Sequence, residues 1–198
     1  GPIHAAGSPK PDRMSVTLRN ALEKTALTLI SAVLFVGFFQ LNDWIFSSFQ
    51  YSEGISWVFL PAGFRVILVL VMGLPGALGL VLGSWFIDRE LFTQSGATLA
   101  FLNGVVGGLT PWLVLKYLTY RQWLSPHLQS LNVLQLLNMT LIFAAASALT
   151  HQLVWLLLER PHLNIWVDIW PMFVGNALGA LLMLYGFKFV LDRVRRKA

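Results

Sequence analysis

The chain has 198 residues, 56% of them hydrophobic and only 12% charged, about half the charged share of an ordinary soluble domain. That balance excludes a typical soluble enzyme, and the length suits one compact helical domain with no separate soluble output module. The lack of cysteine excludes disulfides, thiolate metal sites and cysteine catalysis. The formal net charge of +5 would suit nucleic acid, but the placement of the charges argues against it.

Residues 1–13 read as a disordered leader. Its opening Gly-Pro has the look of a protease scar, which makes Met14 the native start and removes His4 from consideration. Residues 14–198 then form a single helical transmembrane domain. Six apolar spans follow one another at approximately 24–46, 55–72, 74–92, 97–118, 131–158 and 167–191, each near the roughly 20 residues needed to cross a bilayer. No small-residue cleavage site follows the first, so it reads as an anchored helix rather than a signal peptide. Met72-Gly73-Leu74-Pro75-Gly76 joins the second and third by a tight turn. The expected fold is an all-α integral membrane protein, a bundle of about six transmembrane helices with both termini cytoplasmic.

That orientation follows from charge. The inside segments would hold Lys10, Arg13, Arg19, Lys24, Lys116, Arg121, Lys188, Arg193, Arg195, Arg196 and Lys197. The outside loops would hold Arg89 and Arg160 and collect Asp43, Glu53, Asp88, Glu90, Glu159 and Asp168, as the positive-inside rule requires. The basic tail Arg193, Arg195, Arg196 and Lys197 is expected on anionic lipid headgroups. Tyr117, Tyr120 and Trp123 suit an inner aromatic belt, and Trp44, Trp166 and Trp170 an outer one.

Small residues write the helix packing. Gly79 and Gly83, Gly104 and Gly108, and Gly175 and Gly179 form G-x-x-x-G pairs in three different helices. Ala100 extends the second series, and Ala144 with Ala148 gives a weaker version in the fifth helix. Each pair lies on one helix face and lets backbones approach closely, within the chain in preference to between copies.

Polar groups at membrane depth are the candidates for function. Trp57-Val58-Phe59-Leu60-Pro61-Ala62-Gly63-Phe64-Arg65 sets a Pro-Ala-Gly corner and an arginine in apolar sequence, where the corner either starts a helix or breaks one. Lipid offers no water to the backbone groups loosened there or to the guanidinium, so Arg65 must face the bundle or a wet cavity. The expected outer-half site comprises Trp57, Pro61, Gly63 and Arg65, with Asp88 or Asn176 opposite and Glu90 as a further carboxylate. Either Arg65 forms a structural ion pair, or it contacts a ligand. Asn103, Asn138 and Asn176 can add interhelical hydrogen bonds.

Catalytic constellations are weaker. Ser147 and His151 share a face of the fifth helix, and Asp168 could orient the imidazole, but no Gly-x-Ser-x-Gly context surrounds the serine. His127 and His162 fall in loops on opposite predicted faces, so no histidine metal cluster forms, and no H-E-x-x-H, phosphate loop or dinucleotide fingerprint is present. The reading is a non-enzymatic protein without a cofactor or metal.

Trp57 through Gly63, the run Val66–Leu70, and Gly73-Leu74-Pro75-Gly76-Ala77-Leu78-Gly79-Leu80-Val81-Leu82-Gly83-Ser84 resemble the opening of the bacterial membrane-associated sensor domains of the first class, the MASE-type domains. Gly175-Asn176-Ala177-Leu178-Gly179-Ala180-Leu181-Leu182 is similar to their late Gly-Asp-Ala-Leu-Gly-type helix. The resemblance implies a sensory module of the bacterial inner membrane, in that family usually fused to a histidine kinase or a cyclic-di-nucleotide enzyme. The chain departs in having fewer helices, Asn176 where an acidic residue is usual, and Leu60-Pro61 for a double proline. With nothing after Ala198, the expectation is a stand-alone module that binds a small-molecule ligand or a partner protein and signals in trans.

A second reading is the substrate-binding membrane subunit of a vitamin-type uptake transporter, and a third an assembly subunit of a membrane complex. Ala77-Leu78-Gly79-Leu80 echoes Ala177-Leu178-Gly179-Ala180, each after a proline and in helices of opposite direction, as an inverted repeat would have it. A deep polar cavity beside Arg65 would favour ligand binding, and a filled, dry bundle with an exposed small-residue face would favour scaffolding.

Overall fold

Where water is scarce, a backbone must satisfy its own N–H and C=O groups, and helix is the cheapest way to do so. The computed structural model describes residues 13–52, 55–94, 96–124 and 130–197. Seven helices occur among them: α1 (Arg13–Phe46), α2 (Leu60–Met72), α3 (Leu74–Ile87), α4 (Arg89–Thr93), α5 (Ala97–Tyr120), α6 (Val133–Leu157) and α7 (Ile165–Lys197). A 3-10 turn, Ser47–Phe49, leads into an antiparallel pair of short strands, β1 (Gln50–Ser52) and β2 (Ile55–Ser56). The predicted leader up to Asp12, with His4 and Lys10, lies outside the described residues, as do Glu53, His127 and Ala198. Arg13, assigned to that leader, is instead the first residue of α1.

Four helices, α1, α5, α6 and α7, are long and apolar enough to cross a membrane. The expected second and third spans are shorter. α2 has 13 residues and α3 has 14, about 20 Å each at 1.5 Å per residue, against a hydrocarbon core of about 30 Å. The predicted span 55–72 fails over its first residues because Ile55–Phe59 is extended, not helical. Span 74–92 breaks at Asp88, and 167–191 lengthens to Ile165–Lys197.

Local chemistry fixes these ends. Pro61 occupies the first turn of α2, where its missing N–H is one that no helix would bond, so the Pro-Ala-Gly corner starts a helix. Gly73 closes α2 at φ 63°, a left-handed conformation costly for other residues, and donates to Val69 O over 2.8 Å. Pro75 then sits in the first turn of α3. Asn132 and Gln135 cap α6 reciprocally: Asn132 Oδ1 accepts from Gln135 N–H at 2.8 Å and Gln135 Oε1 from Asn132 N–H at 3.1 Å.

The predicted glycine pairs are where the helices meet. Gly79 and Gly83 of α3 lie against Thr28, Ser31, Ala32 and Phe35 of α1, and residue numbers rise together, so those helices are parallel. Ser31 Oγ donates to Gly76 O at 2.9 Å within this contact. Gly104 of α5 faces Trp85 and Gly108 faces Ala77 and Val81, making α5 antiparallel to α3. Gly175 and Gly179 of α7 instead receive non-helical backbone, the carbonyls of Ser56 and Phe59. Ala100, Ala144 and Ala148 are buried as well.

The core runs from Phe35 through Ala62, Val66, Leu80 and Phe143 to Leu184. A smaller cluster of Ile55, Ala148, Trp155 and Met172 seats the strand pair between α6 and α7. The outward faces are apolar: Val33, Leu41, Val71, Leu113, Leu149 and Leu182 are exposed. A surface this uniformly apolar fits a lipid solvent rather than water. Trp44, Trp166 and Trp170 are exposed towards one end of the bundle, Tyr117, Tyr120 and Trp123 towards the other.

Candidate functional site

Asn42 begins the site. Buried near the end of α1, its Oδ1 accepts the Leu60 N–H at 3.2 Å, one of the unpaired donors at the start of α2. Phe59 N–H, one residue earlier, donates to Gly175 O over 3.1 Å, and Trp57 N–H to Phe49 O over 3.0 Å. These bonds hold a non-helical segment, largely half-buried, against the bundle, where Ile55, Ser56 and Phe59 line a cavity. A cavity of about 380 Å³ lies beside it, lined also by residues of α1, α2, α3, α5, α6 and α7.

Arg65 lies one and a half turns into α2 and reaches this cavity. Its side chain is held between two rings, with Cζ 5.1 Å from the Phe35 centroid and 5.5 Å from that of Phe59. The residue is 8% exposed, and Nε is fully buried without a hydrogen-bond partner. Ser84 Oγ is buried and unpartnered too. A Cβ at Gly107 would stand 3.6 Å from both Arg65 Nη2 and Ser84 Oγ, so guanidinium and hydroxyl share the wall that this glycine leaves open.

Further lining comes from α5, α6 and α7. Trp155 Nε1 donates to Asn103 Oδ1 at 2.8 Å, and Asn103, Trp155, His151 and Asn176 all line the cavity. His151 Nδ1–H donates to the backbone oxygen of Ser147 at 2.8 Å, not to its hydroxyl. Asp168 is at the start of α7, where its Oδ2 accepts from Asn164 N–H at 3.0 Å. The Ser147–His151–Asp168 constellation is therefore not assembled. His162, with φ 61°, is exposed in the α6–α7 turn, and no cluster of three metal-ligating side chains occurs among the described residues.

Asp43 and Asp88 line the cavity towards the strand pair, together with Gln50 and Ser56. Asp88 lies in the fields of Arg65 and Arg160, yet no cationic nitrogen among the described residues is within 4 Å of either carboxylate. Arg65 and Asp88 thus share a cavity without forming an ion pair, one of the two alternatives for Arg65, and Glu90 is exposed on α4 outside it.

Of the residues expected in the site, Arg65, Asp88 and Asn176 line the cavity. Trp57 is half-exposed beside Tyr51, their rings 5.6 Å apart, and does not line it. Pro61 and Gly63 are buried but act in packing: a Cβ on Gly63 would meet Ala180 and Met183 of α7. Asn103 makes its expected interhelical bond, whereas Asn138 is exposed. Sequence reasoning missed Asn42 and Ser84, whose only signal is a polar side chain in an apolar run. It also missed the rings of Phe35 and Phe59, which carry no signal among so many phenylalanines.

The arrangement can bind but offers no assembled nucleophile. A buried guanidinium with an unbonded donor, a serine hydroxyl and two asparagines are ready to receive acceptor atoms. No family model, no curated protein and no solved structure matches the chain.

Proposed function

We propose that the chain is a multi-pass protein of the bacterial inner membrane that binds a small ligand in the cavity at Arg65 and passes its occupancy to a separate protein. In this reading six passes leave both termini cytoplasmic, α2 and α3 crossing as a short pair whose span is completed by the extended segment. The basic residues Arg193, Arg195, Arg196 and Lys197 at the end of α7 then meet the inner headgroups, and the cavity faces outward. The activity expected is that of a MASE-type sensory module working in trans.

One observation carries the ligand: a buried guanidinium whose Nε has no partner, beside a cavity instead of a carboxylate. Charge in such a place is expensive, at roughly 2.5–3.5 kcal/mol for a central arginine on insertion scales, and marks function by default. α7 supplies the route for the signal. Met172 and Asn176 line the cavity, and the same helix continues to Lys197, about 50 Å from end to end. Cavity and charge together favour ligand binding over a filled scaffold.

The test is to recover the protein from native membranes in mild detergent and identify its companions by mass spectrometry. A kinase, cyclase or other signalling protein is expected. A pair of ATP-hydrolysing subunits with a coupling membrane protein would replace the sensory reading by that of a substrate-binding uptake subunit.

A further inference from the structure

The cavity holds charges of both signs that form no direct ion pair with one another. Arg65 lines it between Phe35 and Phe59, with Nε unpartnered. Asp88, partly buried, and Asp43, exposed, also line it, and neither has a cation within 4 Å among the described residues. An ion pair would have been the simplest way to accommodate Arg65 in an apolar bundle, yet no carboxylate among the described residues lies within 4 Å of it.

A purely anionic ligand would satisfy the guanidinium but stand beside two carboxylates. A purely cationic one would satisfy the carboxylates and leave the guanidinium bare. Only a molecule bearing an anion and a cation on one short skeleton satisfies both ends. The remaining wall is mixed: Asn42, Asn103, His151 and Asn176 are polar, while Phe39, Ile87 and Met172 offer an apolar patch for a hydrocarbon side chain.

We infer that the cavity binds a small zwitterion, an α-amino acid with an apolar side chain, its carboxylate on Arg65 and its ammonium towards Asp88 and Asp43. Ser84, which also lines the cavity, has its Oγ unpartnered close to the guanidinium. This rests on the ligand-binding reading above and names the ligand class for the same site.

The test uses the full chain in lipid nanodiscs and calorimetric titration with sets of one skeleton. L-phenylalanine is compared with 3-phenylpropionate, which lacks the ammonium, and phenethylamine, which lacks the carboxylate. L-leucine is compared with 4-methylpentanoate and 3-methylbutylamine. Binding of at least one amino acid is expected, with each of its truncated analogues weaker by about thirty-fold or more, as when one partner of a buried charge pair is removed. Asp88→Asn should weaken the amino acid but not its deaminated analogue, and Arg65→Gln the reverse pairing, sparing the amine.

A carboxylate that binds as tightly as its amino acid, and is lost in Arg65→Gln, would overturn the zwitterion and leave the Arg65 site standing. O-phosphoethanolamine binding more tightly than both amino acids would overturn the amino acid in favour of a lipid headgroup. No binding by any of these probes would overturn both the zwitterion and the ligand site.

Discussion

The indole N–H of Trp155 donates to Asn103 Oδ1 over 2.8 Å, while the Arg160 guanidinium lies over the same indole with Cζ 3.8 Å from the ring centroid. One side chain thereby joins α5 to α6 on the cavity wall and engages the loop that leads into α7. Asn103→Leu leaves the buried indole N–H without its acceptor, at a cost of about 1–3 kcal/mol. The expected outcome is a lower unfolding temperature in detergent. Trp155→Phe in the same background should show less than additive loss, which a double-mutant cycle measures.

Arg65→Leu separates the structural role of this residue from its binding role. With no carboxylate within 4 Å, the substitution orphans no ion-pair partner and removes a desolvated charge. The variant should insert normally and unfold no earlier than the parent, while ligand response disappears. A clear fall in folded yield would mean that Arg65 holds the helices together instead. Arg65→Lys keeps the charge but loses the planar fork, and partial response is expected.

Gly179→Ala places a methyl group against the Phe59 carbonyl and the Leu60 backbone nitrogen, neither of which can rotate away. Overpacking of this kind costs about 1–3 kcal/mol, and here it should also displace the extended segment from the cavity. Gly37→Ala and Gly186→Ala meet nothing within 4 Å and lie in helices, so they should be neutral or stabilise by up to about 1 kcal/mol. Size-exclusion profiles and melting curves of the three variants distinguish these outcomes.

The orientation can be read from single cysteines, because the chain has none of its own. In intact cells with the outer membrane permeabilised, Ser47→Cys should react with a membrane-impermeant maleimide and Arg195→Cys should not. The opposite pattern would invert the bundle and put the cavity on the cytoplasmic side.

Much of the helical scaffold is legible in the chain because lipid-compatible sequence leaves few alternatives. Long apolar runs become helices, and the three glycine pairs mark close approaches in each case. The third pair shows where this reasoning stops: Gly175 and Gly179 meet a strand-like segment, which spacing alone cannot distinguish from another helix. Ile55–Phe59 was unreadable for a related reason. Its apolar residues continue the hydrophobicity of α2, while its extended form is imposed by bonds to Phe49, Asn42 and Gly175, all distant in sequence or outside the run. Arg65 was legible through the cost of its charge. Its confinement by Phe35 and Phe59, and its separation from Asp88, depend on how the helices are arranged.

The Phe59 N–H finds its acceptor on Gly175, in α7. During synthesis, α1 to α3 therefore emerge with the floor of their own pocket unfinished, and the extended segment cannot seat until α7 has entered the membrane. Assembly waits on α7: a nascent chain stalled in the α6–α7 turn would hold the guanidinium and its two flanking rings yet lack part of the surface that gives the cavity its shape.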